Sequence, residues 1–359
     1  MRILSLGRIY LDYILRRSEP AKLPHRLWVE PTNSCNLKCI ICPNSNEALL
    51  PERGFMDFEM YKGIVDEASG FAYDINLFHR GESLLHPKIY EMIEYASEKG
   101  LNTRLHTNAT LLTEENAEKV FDSGLHYISI SFDGYDKATY EGIRKGASFE
   151  RTYGNLVGFL KKKGERGAKR PFTVLQVIEV RNEPRETRNE KRRIFMEAFK
   201  GLPLDKLSIR IPHNWAGSYG DESAGNRVSS LCTFPWYSLT IFWNGEVVPC
   251  PQDFYGNLSV GNIKNGGIRK IWNGERLIAH RNALIKGAVE RLDPCKGCDM
   301  LRRKTLLGVP TNYLTTFFDG WDYAHIDFGI TRSLPVSNPL TQELIRPLSF
   351  SYDGSSVNT

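Results

Sequence analysis

The chain has 359 residues, 41% hydrophobic and 25% charged, enough to bury a sizeable core in one large domain or two unequal ones. That composition excludes disordered and collagen-like chains, and a net charge of +5 is too small and too spread out to imply a nucleic-acid partner. No stretch reaches the roughly 18 consecutive apolar residues of a transmembrane helix.

Residues 1–25 open with MRILSLGRIYLDYILRR. This segment does not read as a signal peptide, because Arg8 and Asp12 interrupt its apolar region and no small-residue cleavage site follows. The chain is therefore expected in the cytoplasm, where metal binding or redox chemistry explains seven cysteines better than disulfides do. Over 2–17, Ile3, Leu6, Ile9, Tyr10, Tyr13 and Ile14 recur at helical spacing, with Arg8, Arg16 and Arg17 outside the stripe. The pattern predicts an amphipathic helix packed against the body of the protein, with peripheral membrane contact as the alternative.

From residue 26 short strand-like runs alternate with helical ones. Strands are predicted at 27–30, 74–78, 103–106, 127–131, 172–180 and 207–211, with helices at 58–69, 88–99, 114–123 and 149–162 between them. This alternation predicts an α/β fold, a partial (β/α)6 TIM-like barrel over 26–215, in which ligands collect at the carboxyl ends of the strands. Lysines and arginines accumulate over 161–193, interrupted by Glu165, Glu183, Glu186 and Glu190; a solvated helical face is the reading, with a phosphate-bearing substrate as the alternative. After residue 216 the rhythm changes to a smaller α+β module over 216–305. It includes SLTIFWNGEVVPC, whose Asn244-Gly245 pair predicts a tight hairpin turn. The tail, 306–359, is richer in Ser, Thr, Pro and Gly and carries no readable motif.

Directly after the first strand, Cys35, Cys39 and Cys42 form CNLKCIIC. Three thiolates can hold three irons of a cubane cluster and leave the fourth without a protein ligand, whereas a structural zinc ion takes four ligands. A zinc site or inert structural cysteines remain the alternatives. At these residues the chain resembles the radical S-adenosylmethionine (radical SAM) superfamily, with Ile41 in the hydrophobic place before the third cysteine. The resemblance implies that the methionyl end of S-adenosyl-L-methionine chelates the open iron of a 4Fe-4S cluster. Reductive cleavage then releases a 5'-deoxyadenosyl radical, which abstracts a hydrogen atom from substrate. The electron would come from a partner such as flavodoxin or ferredoxin.

Further segments support the resemblance. HRGESLLHP places Gly81 and Glu82 where the family has the end of a Gly-Gly-Glu-Pro motif, whose carbonyls accept from the methionyl ammonium; Arg80 and Ser83 replace the first glycine and the proline. HTNATLL supplies Thr107 and Asn108, and SISFDG supplies Ser131 and Asp133. Ser, Asn and Asp at strand ends are also ordinary turn formers. The resemblance implies cofactor contacts at Ile41, Gly81, Glu82, Asn108, Ser131, Arg144 and Gln176. Arg80 and His213 are the catalytic candidates, with His79, His106 and Arg210 as further groups near strand ends.

Four cysteines remain. Cys232 and Cys250 flank Gly245, and Cys295 and Cys298 follow as C-x2-C, so two distant pairs can close one four-thiolate site. From spacing alone a zinc ion fits as well as a second 4Fe-4S cluster. The arrangement resembles the shortened Twitch form of the SPASM auxiliary-cluster domain, which implies an electron-handling role. The expected function is hydrogen-atom abstraction from a small polar substrate such as a sugar or cyclitol, in a dehydrogenase-like reaction. A peptide or lipid precursor is the alternative substrate, and a zinc-stabilised binding module the non-enzymatic one.

Overall fold

The computed structural model describes residues 2–50, 52–179, 183–210, 214–216, 230–302, 305–306, 309–310 and 333–334. After helix α1 (Arg2–Ile14), six strands succeed one another: β1 (Arg26–Val29), β2 (Asp74–Asn76), β3 (Asn102–Thr107), β4 (Tyr127–Ser131), β5 (Phe172–Ile178) and β6 (Lys206–Arg210). Helices α2 (Phe58–Ala68), α3 (Ile89–Glu98), α4 (Glu114–Asp122), α5 (Lys137–Ile143), α6 (Phe149–Glu165) and α7 (Arg185–Glu197) carry the chain back between them. Each strand therefore pairs in parallel with its predecessor, giving the run β6-β5-β4-β3-β2-β1.

Local chemistry explains where the helices begin. Asp57, Thr113 and Asp136 each accept from a backbone N–H in the first turn, at 2.8, 3.3 and 3.0 Å respectively. Their apolar stripes, with Ile64, Val65, Ile93, Val120, Leu156 and Phe159, pack on the outward-facing strand residues Leu105, Ile128, Ile130, Leu175 and Val177. The period of two turns the intervening residues, including His106, Ser131 and Gln176, to the inner face. At the amino-terminal end of that face a belt closes the sheet. Asp74 pairs with Arg26 and stands 3.8 Å from Arg104, whose guanidinium lies 4.2 Å from the Tyr127 ring, itself stacked on Phe172.

The predicted strands and the four predicted helices are present, with ends shifted by a few residues. Helices α5 and α7 escaped the pattern. Phe195 is the one buried residue among those of α7, so no apolar stripe marks it. The basic run is split between α6 and α7 and is laced with ion pairs to Glu118, Asp122, Glu179 and Glu183. Lys163 departs from the expected solvated face, being buried against Thr173 and Asp205.

Beyond the barrel half, helix α8 (Phe234–Tyr237) leads into β7 (Ser238–Ile241), which pairs in parallel with β1 on its free side. Strands β8 (Glu246–Val248) and β9 (Gly261–Asn262) extend the same sheet antiparallel, and α9 (Gly267–Trp272) and α10 (Glu275–Ile285) follow. The hairpin turn falls where Asn244-Gly245 predicts it. Gly245 has φ 88°, and its N–H closes the turn on the Phe242 carbonyl at 2.9 Å. Helix α1 packs on this module through Ile9 and Tyr13, against Phe234, Trp236, Leu284 and Val289. Ser333–Leu334 pairs antiparallel with β6.

Candidate cofactor and cluster sites

The loop carrying Cys35, Cys39 and Cys42 is gripped from both sides. Lys38 N and Ile40 N donate to the carbonyls of Lys145 and Ile143, both at 2.9 Å, so the segment around Arg144 holds the loop by its backbone. On the other side Asn44 Nδ2 donates to the carbonyls of Asn33 and Arg80, while Arg53 donates to the Asn33 carbonyl and to Asn44 Oδ1, both at 2.7 Å. Ile41, which precedes the third cysteine in the sequence, is buried. Burial, with the Glu82 charge and then Cys39, pushes Cys35 up to about 11, and burial with the two neighbouring thiols pushes Cys42 up to about 12.

Gly81 lies directly against this loop. A Cβ there would collide with the backbone carbonyl oxygens of Thr32 and Ser34, and Glu82 N donates to Ser34 O at 2.9 Å. The buried Glu82 carboxylate accepts from Thr107 Oγ1 at 2.8 Å, Asn108 N at 2.7 Å and Leu84 N at 3.1 Å. Burial nevertheless raises its pKa. Its side chain thus ties the end of β2 to the end of β3. Asn108 Nδ2 donates to Asn36 Oδ1 at 2.9 Å and stands 4.0 Å from Cys35 Sγ, tying β3 to the cysteine loop in turn.

Along the inner face, Ser131 is hydrogen-bonded to His106 Nε2 and sits in register with Gln176. Burial first, then the charges of Arg144 and Arg210, drives His106 down to about 3, so it is neutral at physiological pH. Arg144 donates to Asp133 at 2.7 Å, while its buried Nε has no hydrogen-bond partner among the described residues. Its charge reaches all three thiols of the loop.

Arg80 occupies a different place from the open inner face. Its guanidinium forms a fork with the buried Glu30, at 2.6 and 2.7 Å, lies 3.6 Å from the Phe242 ring centroid and reaches the Phe254 carbonyl at 3.4 Å. Glu30 also accepts from Trp243 N at 3.2 Å. Burial opposes ionisation of Glu30, yet Arg80 overcomes it and holds the carboxyl at about 2. His79 stands 3.4 Å from the same carboxylate and donates through Nε2 to the Pro251 carbonyl at 2.8 Å, one residue past Cys250. Glu30 belongs to none of the sequence motifs. Its signal was a lone acid ending the apolar run LWVE immediately before the cysteine loop.

Near Pro251 the second thiol set gathers. Cys250 is raised by burial and by Cys232, Cys295 and Cys298 together, which places the four thiols within electrostatic reach of one another. Cys295 opens a short 3-10 turn, and Cys298 N donates to its carbonyl at 3.1 Å. Asn214 braces that turn through Gly297 O at 2.7 Å. All seven cysteines are free of disulfides. His213 lies outside the described residues.

Residues 29–169 match the Radical SAM superfamily, and residues 232–299 match SPASM, an iron-sulfur cluster-binding domain. The chain belongs to the radical SAM superfamily. An AdoMet-dependent heme synthase of Methanosarcina barkeri is 31% identical over 160 residues, 44% of this chain and 44% of that relative, so less than half of the relative's length is spanned. The S-adenosyl-L-methionine-dependent 2-deoxy-scyllo-inosamine dehydrogenase of Niallia circulans is 24% identical over 288 residues, 79% of this chain and 96% of that one. Among solved structures, Streptococcus suis SuiB bound to precursor peptide SuiA shares the fold with TM-score 0.58 and 15% identity, over 82% of this chain and 74% of that chain.

The donor sets fit the groups that radical SAM and SPASM domains bind. Three thiols on one loop and four in a second set are the ligand counts of an open and a closed iron-sulfur cluster. The Gly81 carbonyl accepts no hydrogen bond within the described chain, and the Arg144 Nε is an unpartnered buried donor. These are the polarities that an amino group and a carboxylate require.

Proposed function

We propose that this radical SAM protein oxidises a hydroxyl-bearing carbon of a small polar substrate, sugar-like or cyclitol-like, using two 4Fe-4S clusters. The observation that carries the reading is the pairing of a three-thiol loop with a four-thiol set, joined through Glu30, Arg80 and His79. The 2-deoxy-scyllo-inosamine dehydrogenase relative, aligned over 96% of its length, supports the substrate class. When bound, the cofactors supply a radical that removes a hydrogen atom and a second cluster able to take an electron.

The chain's own residues do the rest. The Gly81 carbonyl and Arg144 orient the methionyl end of the cofactor, with Ile41 covering the thiol loop. Gln176, Ser131 and the neutral His106 line the inner face with groups that hydrogen-bond a hydroxyl. His79 ties the Pro251 carbonyl to the Glu30–Arg80 pair just past the end of β1. A flavodoxin-like or ferredoxin-like reductant in the cytoplasm completes the system.

The test starts from anaerobically purified protein. About eight irons per chain and dithionite-dependent 5'-deoxyadenosine support the reading. With 2-deoxy-scyllo-inosamine deuterated at the carbinol carbon as probe, a ketone product and deuterated 5'-deoxyadenosine are expected. Stoichiometric zinc without iron refutes the enzyme. Cofactor cleavage without oxidation of any cyclitol or sugar refutes the substrate class.

A further inference from the structure

Helix α1 has two apolar faces. One is buried: Leu6, Ile9 and Tyr13 are no more than 6% exposed, and the Tyr13 hydroxyl donates to the Leu231 carbonyl at 2.7 Å. Trp236 Nε1 adds a bond to the Arg17 carbonyl at 2.8 Å, so the C-terminal end of the helix is fixed on the C-terminal module. A helix kept only for that packing would turn a polar face to solvent. Instead Leu11, Ile14 and Leu15, at successive i, i+3 and i+4 positions, are 49%, 38% and 57% exposed. Ile14 thus leaves the stripe in which its spacing placed it.

From Arg8 to Arg17 the exposed charges are of one sign, and Glu19 is the first exposed acid beyond them. Arg8, one turn before Leu11, and Arg16 and Arg17, just after Leu15, are exposed, whereas Asp12, the only acid in 2–17, is fully buried. Its carboxylate is occupied by Arg17 at 3.0 Å and Ala21 N at 2.9 Å. Among the described residues no carboxylate pairs with Arg8 or Arg16. Every exposed side chain between residues 8 and 17 is therefore aliphatic or an arginine.

We infer that the outer face of α1 docks on an anionic lipid bilayer, with Leu11, Ile14 and Leu15 entering the headgroup region and Arg8 and Arg16 on lipid phosphates. Long arginine side chains keep their charge at the interface while the aliphatic row sinks below it, and each basic residue adds affinity that salt screens. A folded protein partner would instead favour exposed aromatic anchors, and the exposed side chains of residues 8–17 include none. The inference is independent of the substrate, since it concerns a surface and not the cluster sites.

The experiment is co-sedimentation of the full-length, cluster-loaded chain with phosphatidylcholine vesicles with and without phosphatidylglycerol, at low and high salt. Binding to the anionic vesicles alone, weakened by salt, is expected. Changing Leu11, Ile14 and Leu15 together to Ser should abolish it, a loss of at least about 100-fold. Arg8→Gln with Arg16→Gln should cost roughly 30-fold at low salt, from about 5-fold per charge. A single Leu15→Trp variant should show blue-shifted emission on adding anionic vesicles. Absence of binding, or binding that the serine variant retains, overturns the inference. So does a concentration-dependent dimer in light scattering that the serine variant abolishes, because a second copy then covers the face.

Discussion

Glu30 shows how one residue links burial, charge and position. Its ordinary carboxyl value of 4.5 is lowered to about 2 in the fold, because Arg80 outweighs the burial that opposes ionisation. A depressed folded-state value contributes stability that is complete above about 4.5 and is lost as pH falls toward 2. That contribution is on the order of 3 kcal/mol. Urea unfolding followed from pH 6 down to pH 3 should therefore lose stability more steeply in the wild type than in Glu30→Gln. Arg80→Ala, which leaves a buried carboxylate unpaired, should cost about 3–5 kcal/mol at neutral pH in the same measurement. Cys39→Ala is expected to abolish 5'-deoxyadenosine formation, since an iron of the first cluster loses its protein ligand.

Among elements, the Gly81–Glu82 turn and the cysteine loop are positioned by backbone contact, so their spacing depends on the absence of a side chain. Gly81→Ala should push the turn away from Thr32 and Ser34 and lower iron bound by the three-thiol loop, read as iron per chain in a variant lacking the other four cysteines. Asp57→Ala, which removes the cap accepted by α2, should cost about 1 kcal/mol and leave iron content unchanged. Elements with an apolar stripe and a cap, such as α2 and α4, were legible in the sequence. Helix α7 was not, because its stability comes from Phe195 and from ion pairs to neighbouring elements, which a single-segment pattern does not contain.

Across the whole molecule, one sheet carries both the first cysteine loop, which follows β1, and Cys250 of the second set, which follows β8, since β7 adds to β1. Coupling between them can then run through rigid backbone and the Glu30, Arg80 and His79 cluster. Cys295→Ala should spare cofactor cleavage but stop ketone formation, checked by parallel assay of 5'-deoxyadenosine and product. Unchanged product turnover would refute an electron-handling role for the second set. By itself the sequence determined the seven cysteines, the β/α rhythm and the family, because thiol spacing and apolar periodicity are local and survive without coordinates. Only the tertiary structure decided that Arg80 faces Glu30, that Lys163 is buried, and that α1 turns Leu11, Ile14 and Leu15 outward. Each of those depends on a partner dozens or hundreds of residues away, and burial at such contacts sets which charge is paired and which face stays open.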